Sequence, residues 1–248
     1  WDVKRLQRLI VTSATYRQSS KLSPGLLARD PDNRLLARGP RYRLPAEMIR
    51  DSVLAASGLL VEDLGGPSVK PYQPAGLWEE LGATAGTYPQ DHGENLYRRT
   101  LYTFWKRTIP PPNMMIFDAA GREMCSVRHN HTNTPLQALT LLNDVPYVEA
   151  ARKLAERVLQ SASADADERL NYAFRLATAR RPKPHELAIL RAGLDRHLQQ
   201  YRRDPAAAEK LLGVGEAPRN SQLAPSELAA YTVMASVILN LDETITKE

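Results

Sequence analysis

The residues best suited to chemistry crowd into "VRHNHTNTPLQALTLLND", residues 127–144. His129 and His131 are two apart, so an extended backbone turns both rings to one side, as a pair of metal ligands would need. A metal would require a third ligand. His92, Glu94, Asp118 and Glu123 are the available side chains, and spacing selects none of them. Arg128 and the two imidazoles also precede a helix start, where free backbone amides and the helix dipole attract anions. The start itself is written as Thr134, Pro135 and Gln137, the pattern of a capping box with proline in the first helical position. A hydrogen-bonded segment that merely sets up this helix accounts for the same letters. "HNH" is not read as a nuclease motif, because no zinc-finger framework surrounds it.

The second cluster is "RRTLYTFWKR", in which Arg98, Arg99, Lys106 and Arg107 interleave with Tyr102, Phe104 and Trp105. Aromatic faces beside guanidinium groups can stack sugar rings and grip their acidic substituents. The same composition serves cation–π and ion-pair packing inside a core, and that use is preferred here. If the chain hydrolysed or eliminated acidic polysaccharide, His92, Glu94 or Asp118 would supply the acid and base, with the arginines holding substrate. No G-x-S-x-G, P-loop, G-x-G-x-x-G or H-E-x-x-H occurs. His185 and His197 fall in helical patterns and read as surface or hydrogen-bonded residues.

Composition narrows the remaining classes. The chain has 43% hydrophobic and 25% charged residues, ordinary for a globular protein, and no apolar run approaches the roughly 20 residues of a membrane span. It begins at Trp1 with no basic leader, which suggests a piece of a longer polypeptide. Cys125 is the single cysteine. It excludes an internal disulfide and covalent haem attachment, and it reads as a buried, inert thiol. The net charge of +5 is local: residues 1–50 carry 11 Lys or Arg against 4 Asp or Glu. With 6% aromatic residues and no binding motif, nucleic acid is not the expected partner.

The elements that must position these residues are helical. "DVKRLQRLIVTSATY" puts Leu6, Leu9, Ile10 and Ser13 on one face, and "PAEMIRDSVLAASGLL" repeats Ile49, Val53, Ala56 and Leu60. Residues 61–93 are punctuated by four prolines, with one short helix expected around "AGLWEEL". The stretch from Glu94 to Asp118 fits strand or helix until the prolines at 110–112, which should hold an extended polyproline segment. From Thr134 onward, helical patterns follow one another, separated by "NDVP", "RPKP" and a Gly/Pro-rich linker at 213–225. The sets 170/173/174/177 and 187/190/194/198 predict a helical hairpin across "RPKP". The expected fold is mainly α: a multi-helix, bundle-like domain with long Pro/Gly-rich irregular segments in the middle. It would be one module over residues 1–248, with a possible division into 1–133 and 134–248.

Five segments carry a family resemblance: "NRLLARGPRYRLPAEMIRD", "GGPSVKPYQPAGLW", "LYRRTLYTFWKRTIPPP", "FDAAGREMCSVRHNHTNTPLQALTLLND" and "ILNLDETITKE". In this order they resemble the planctomycete cytochrome-C-associated proteins, in the C-terminal module known as domain of unknown function 1553. The resemblance implies an extracytoplasmic or cell-envelope multidomain protein, with cytochrome-like and sometimes lectin-like domains upstream, and haem only on the former. It transfers no catalytic residue. His129 and His131 depart from its pattern, which leaves Arg98, Arg99, Arg128, Asn133 and Thr134 as the stronger functional candidates. The combined expectation is a non-catalytic module, without cofactor or metal of its own, that scaffolds or docks those upstream domains and carries a basic groove between residues 92 and 134 for an anionic partner or glycan. A glycan hydrolase or lyase is the alternative, and an electron-transfer partner domain the third.

Overall fold

Helix signals at the sequence level are realised almost throughout. The structure, a computed structural model, describes residues 1–80, 86–122, 124–125, 132–161 and 163–247. It is 53% helical with one two-stranded sheet among the described residues, hence mainly α. The chain divides into two compact units, residues 45–244 and a smaller one formed by 1–44 with 245–248.

In the smaller unit, α1 (Val3–Thr12) starts at Asp2, whose carboxylate accepts the Arg5 amide at 2.9 Å. The predicted apolar face is there, yet no residue of α1 is buried, and Ser13 is its C-cap. Ser23 caps α2 (Pro24–Arg29), with Pro24 in the tolerated first turn. A tight loop follows, in which the Asp30 carboxylate accepts the amides of Arg34 and Leu35 at 2.8 and 2.7 Å. β1 (Tyr42–Arg43) pairs antiparallel with β2 (Thr246–Lys247), and the Lys247 ammonium lies 4.2 Å from the Tyr16 ring centroid.

The larger unit is built on α6 (Val145–Leu159) and α10 (Pro225–Leu239). α10 is apolar on every side and packs against α6, α8 (Pro184–Arg203) and α9 (Pro205–Leu212), as a helix without a polar face must. α3 (Ala46–Ser57) covers α6 with Ile49, Val53 and Ala56, the predicted set, while Leu60 lies beyond the helix. α7 (Ala166–Thr178) and α8 form the expected hairpin, burying Leu170, Ala173, Phe174, Leu190 and Leu194. α9 was not foreseen: Asp204 accepts the Ala207 amide at 3.0 Å, and Pro205 opens one more turn where the pattern had lapsed.

The segment left open between strand and helix is neither. It forms 3-10 turns at Gly93–Tyr97 and Thr100–Tyr102, with isolated bridges pairing Val61 with Arg98 and Val69 with Thr103. Around Trp78 the described residues make turns rather than a helix, and Trp78 is buried against Tyr88 and Phe104. The triple proline is extended only as far as Pro111. Pro112 instead occupies the first turn of α4 (Pro112–Ile116), the one helical position that needs no amide hydrogen.

The polar centre of this unit lies on α6. Glu149, Arg152 and Glu156 are at most 3% exposed. Arg152 donates to Glu156 at 3.0 Å and to the Ala217 carbonyl at 2.7 Å, and stands 3.8 Å from Glu149. Glu149 accepts the Ala217 amide at 2.6 Å and the Tyr97 hydroxyl at 3.0 Å. The 213–220 linker is thereby fastened to α6. Gly215, at φ +84°, lies so close to the Glu149 carboxyl that no side chain fits there. Replacing Arg152 by Leu removes the buried cation that faces both carboxylates, leaving Glu149 with neutral donors and Glu156 with Lys153 at 2.5 Å, so we expect a loss of about 3–5 kcal/mol in urea unfolding, with Ala217 losing hydrogen-exchange protection.

Candidate functional site

The sequence candidates fall into different environments, and the two adjacent arginines show it best. Arg98 is buried, and its guanidinium donates to the carbonyls of Asp63 and Pro67, both at 3.2 Å, and to that of Gly65. It also stacks 4.0 Å above the Tyr102 ring. Those bonds leave it a loop-organising cation, the packing use preferred from composition. Arg50 behaves alike: buried in α3, it donates to the carbonyls of Leu96 at 2.6 Å and Arg98 at 2.9 Å. Desolvation lowers its pKa, partly countered by Asp51.

Arg99 differs. It is half-buried beside α3, and among the described residues its guanidinium has no partner; its Nε is closed off from solvent. Arg107 is exposed. Trp105 is stacked by Arg122 at 4.4 Å, and among the described residues its buried indole nitrogen has no acceptor.

The acid/base candidates have separate surroundings. His92 is exposed and its Nδ1 pairs with Glu216 at 2.9 Å. Glu94 lies exposed in the first 3-10 turn. Asp118 accepts the amide and hydroxyl of Thr132, both at 2.8 Å, a role that fixes the approach to α5 (Pro135–Asn143). Arg128, His129, His131 and Glu123 lie outside the described residues. Asn133 is exposed and Thr134 half-buried; Gln137 reaches back to the Thr134 amide at 3.2 Å, as its position predicts. Cys125 is exposed, which corrects its reading as a buried thiol: it lies in a non-helical stretch beside Met124, itself 86% exposed, rather than in a packed element. His185 is exposed, and His197 stacks on Tyr201.

Two features went unread in the sequence. The first is α5 itself, which is inverted. Gln137 is 1% exposed and donates to the Ile116 carbonyl at 2.9 Å and to Thr132 at 3.1 Å. Thr140 and Leu141 are also buried, while Leu136, Leu139 and Leu142 are 54, 55 and 41% exposed. A cleft of about 300 Å³ adjoins them, walled by Pro74, Ile116, Leu136 and Leu139, with Tyr72 and Asp144 among its polar members. The i, i+3, i+6 spacing of the leucines points them to the core, so no local signal gives this orientation.

The second is the tyrosine pair at Glu149. The Tyr72 hydroxyl lies 3.4 Å from Glu149 and accepts the Glu216 amide at 2.8 Å. Burial and the neighbouring carboxylate push Tyr72 up to about 12 and raise Tyr97 further, so both remain hydrogen-bond donors at neutral pH. Among the described residues, Glu149 Oε2 has no partner. That carboxylate is fully buried, and the group holds structure together.

In the α5 cleft, desolvation raises the Asp144 carboxyl, although Asn113 and the Val145 amide, at 3.0 Å, favour its ionised form. What the cleft offers is an apolar wall with a carboxylate at a helix start, a surface suited to packing. Among the described residues, no group of three His, Cys, Asp or Glu side chains could hold a metal ion, and no helix is long and apolar enough to cross a membrane.

A family model described as PSD1, "Protein of unknown function (DUF1553)", matches residues 1–194. No curated protein and no solved structure matches the chain.

Two outcomes follow from these environments. Arg98→Ala removes the donors that tie the carbonyls of Asp63, Gly65 and Pro67 together and should cost about 1–2 kcal/mol in denaturant unfolding. For Asp144 the folded pKa lies above the unfolded one, so ionising it weakens the fold as pH rises through that window. Asp144→Asn keeps a capping side chain and removes this penalty. Its melting temperature should exceed that of the parent at pH 7, and the advantage should vanish on acidification below the unfolded carboxyl range.

Proposed function

We propose, since the chain belongs to the PSD1 family of proteins of unknown function, that it acts as a non-catalytic docking module whose α4–α5 face receives another folded domain. The observation carrying this reading is the inverted α5: three leucines of one short helix face outward beside an apolar cleft, while glutamine and threonine are held inside. Met115 on α4, 39% exposed, extends the same patch. Contiguous exposed apolar surface of this kind marks interaction sites. A glycan groove is less well supported, because Arg98 is occupied by backbone carbonyls and Arg107 stands apart on the surface. The separate partners of His92 and Asp118 likewise favour docking over hydrolysis or elimination.

The cytochrome-like and lectin-like domains implied by the family resemblance are the proposed partners, in an extracytoplasmic multidomain protein. The test is to mix this module with each such domain, expressed separately, and measure association by calorimetry. Leu136→Asp with Leu139→Asp should weaken binding by at least about tenfold while leaving the unfolding midpoint within a degree or two, since both residues are exposed. Equal affinity of parent and double variant for every domain, or no association with any of them, would reject the assignment of this face.

A further inference from the structure

The smaller unit has apolar side chains but no apolar interior of its own along residues 1–44. The buried side chains of that stretch are Asp30 and Arg43. Val3, Leu6, Leu9 and Ile10 of α1 are instead 49 to 68% exposed, and Leu22, Leu27, Leu35 and Leu36 are exposed as well. A helix of 10 residues is marginal in water by itself. The apolar side of α1 therefore calls for a cover that residues 1–44 do not supply.

The charge of the same stretch says what kind of cover. With about 3.6 residues per turn, Val3, Leu6, Leu9 and Ile10 gather on one side of α1, and Lys4, Arg5 and Arg8 on the other. Among the described residues those three cations form no ion pair. Residues 1–44 hold ten Lys or Arg against three Asp, so the chain's excess positive charge lies here and residues 45–248 are net acidic. Two of the three aspartates are turned to backbone amides, Asp2 to that of Arg5 and Asp30 to those of Arg34 and Leu35.

We infer that α1 is an interfacial helix that binds a bilayer surface rich in anionic phospholipid, its leucine side at the acyl boundary and its cations among the headgroups. A strongly amphipathic helix with Lys and Arg on the polar side is built for this position, and each basic residue near an anionic surface adds to the attraction. Nucleic acid would match the charge but offer no apolar phase, leaving Leu6, Leu9 and Ile10 in water. An acidic protein patch would engage a few cations. Ten of them, spread over α1, α2 and the loops that follow, match a continuous sheet of negative charge.

The test is co-sedimentation of the full chain with vesicles of phosphatidylcholine alone or with about 30% phosphatidylglycerol. Partitioning should be at least about tenfold stronger on the anionic vesicles and should fall as salt rises from about 0.05 to 0.5 M. Arg5→Gln with Arg8→Gln, and separately Leu6→Gln with Leu9→Gln, should each weaken it severalfold. Leu136→Gln with Leu139→Gln, on the α5 face, should partition like the parent. All these side chains outside α5 are exposed, so the α1 variants should melt with the parent and report on binding rather than folding. No partitioning, equal partitioning on neutral vesicles, parent-like binding by either α1 variant, or loss of binding in the α5 variant would each overturn the assignment.

Discussion

The buried Glu149–Arg152–Glu156 row on α6 is the constraint on which the larger unit rests. Three charges taken out of water are unfavourable unless each finds partners, and here the partners come from distant sequence. Arg152 reaches the Ala217 carbonyl, Glu149 reaches the Ala217 amide and the Tyr97 hydroxyl, and the Tyr72 hydroxyl accepts the Glu216 amide. About two turns of helix therefore gather the segment around Tyr72, the 3-10 turn that holds Tyr97 and the Gly/Pro-rich 213–220 linker. Among the described residues these segments have only 3-10 turns and isolated bridges of their own. Charged hydrogen bonds stand in for a regular ladder.

A second device repeats the idea with arginine alone. Arg50 and Arg98 terminate backbone carbonyls of the 3-10 turns and the 63–67 loop, groups that regular structure would otherwise satisfy. A chain rich in arginine need not have an anionic ligand, since a guanidinium can direct its donors at carbonyls inside its own fold. That use removes Arg50 and Arg98 from any binding surface.

Much of the fold was legible because helix period, proline position and capping act locally. α3, the α7–α8 hairpin and the start of α5 follow directly from such signals. What escaped was decided by distant contacts. The spacing of Glu149, Arg152 and Glu156, i to i+3 and i+4, is that of a solvated salt-bridge face, and only the linker packing over it turns it inward. The stretch after Glu94 matched strand and helix equally well, because its conformation is set by Arg50, outside any local window. Candidate site residues were least legible of all. Residue type marked Arg98 and Arg99 alike, and their difference lies wholly in which carbonyls come within reach.

The inversion of α5 connects stability to function. Gln137 could be an ordinary surface residue, and burying it requires partners for its amide, which the Ile116 carbonyl, Thr132 and the Thr134 amide supply. A simpler helix would turn Leu136, Leu139 and Leu142 to the core and leave glutamine in water. The observed orientation is sustained because Gln137 joins the end of α4 to the start of α5, and its consequence is a leucine face held outward by the core's own hydrogen bonds. An apolar face fixed in this way is preorganised: a partner meeting it need not reorder the helix, so less of the contact free energy is lost to conformational entropy on binding.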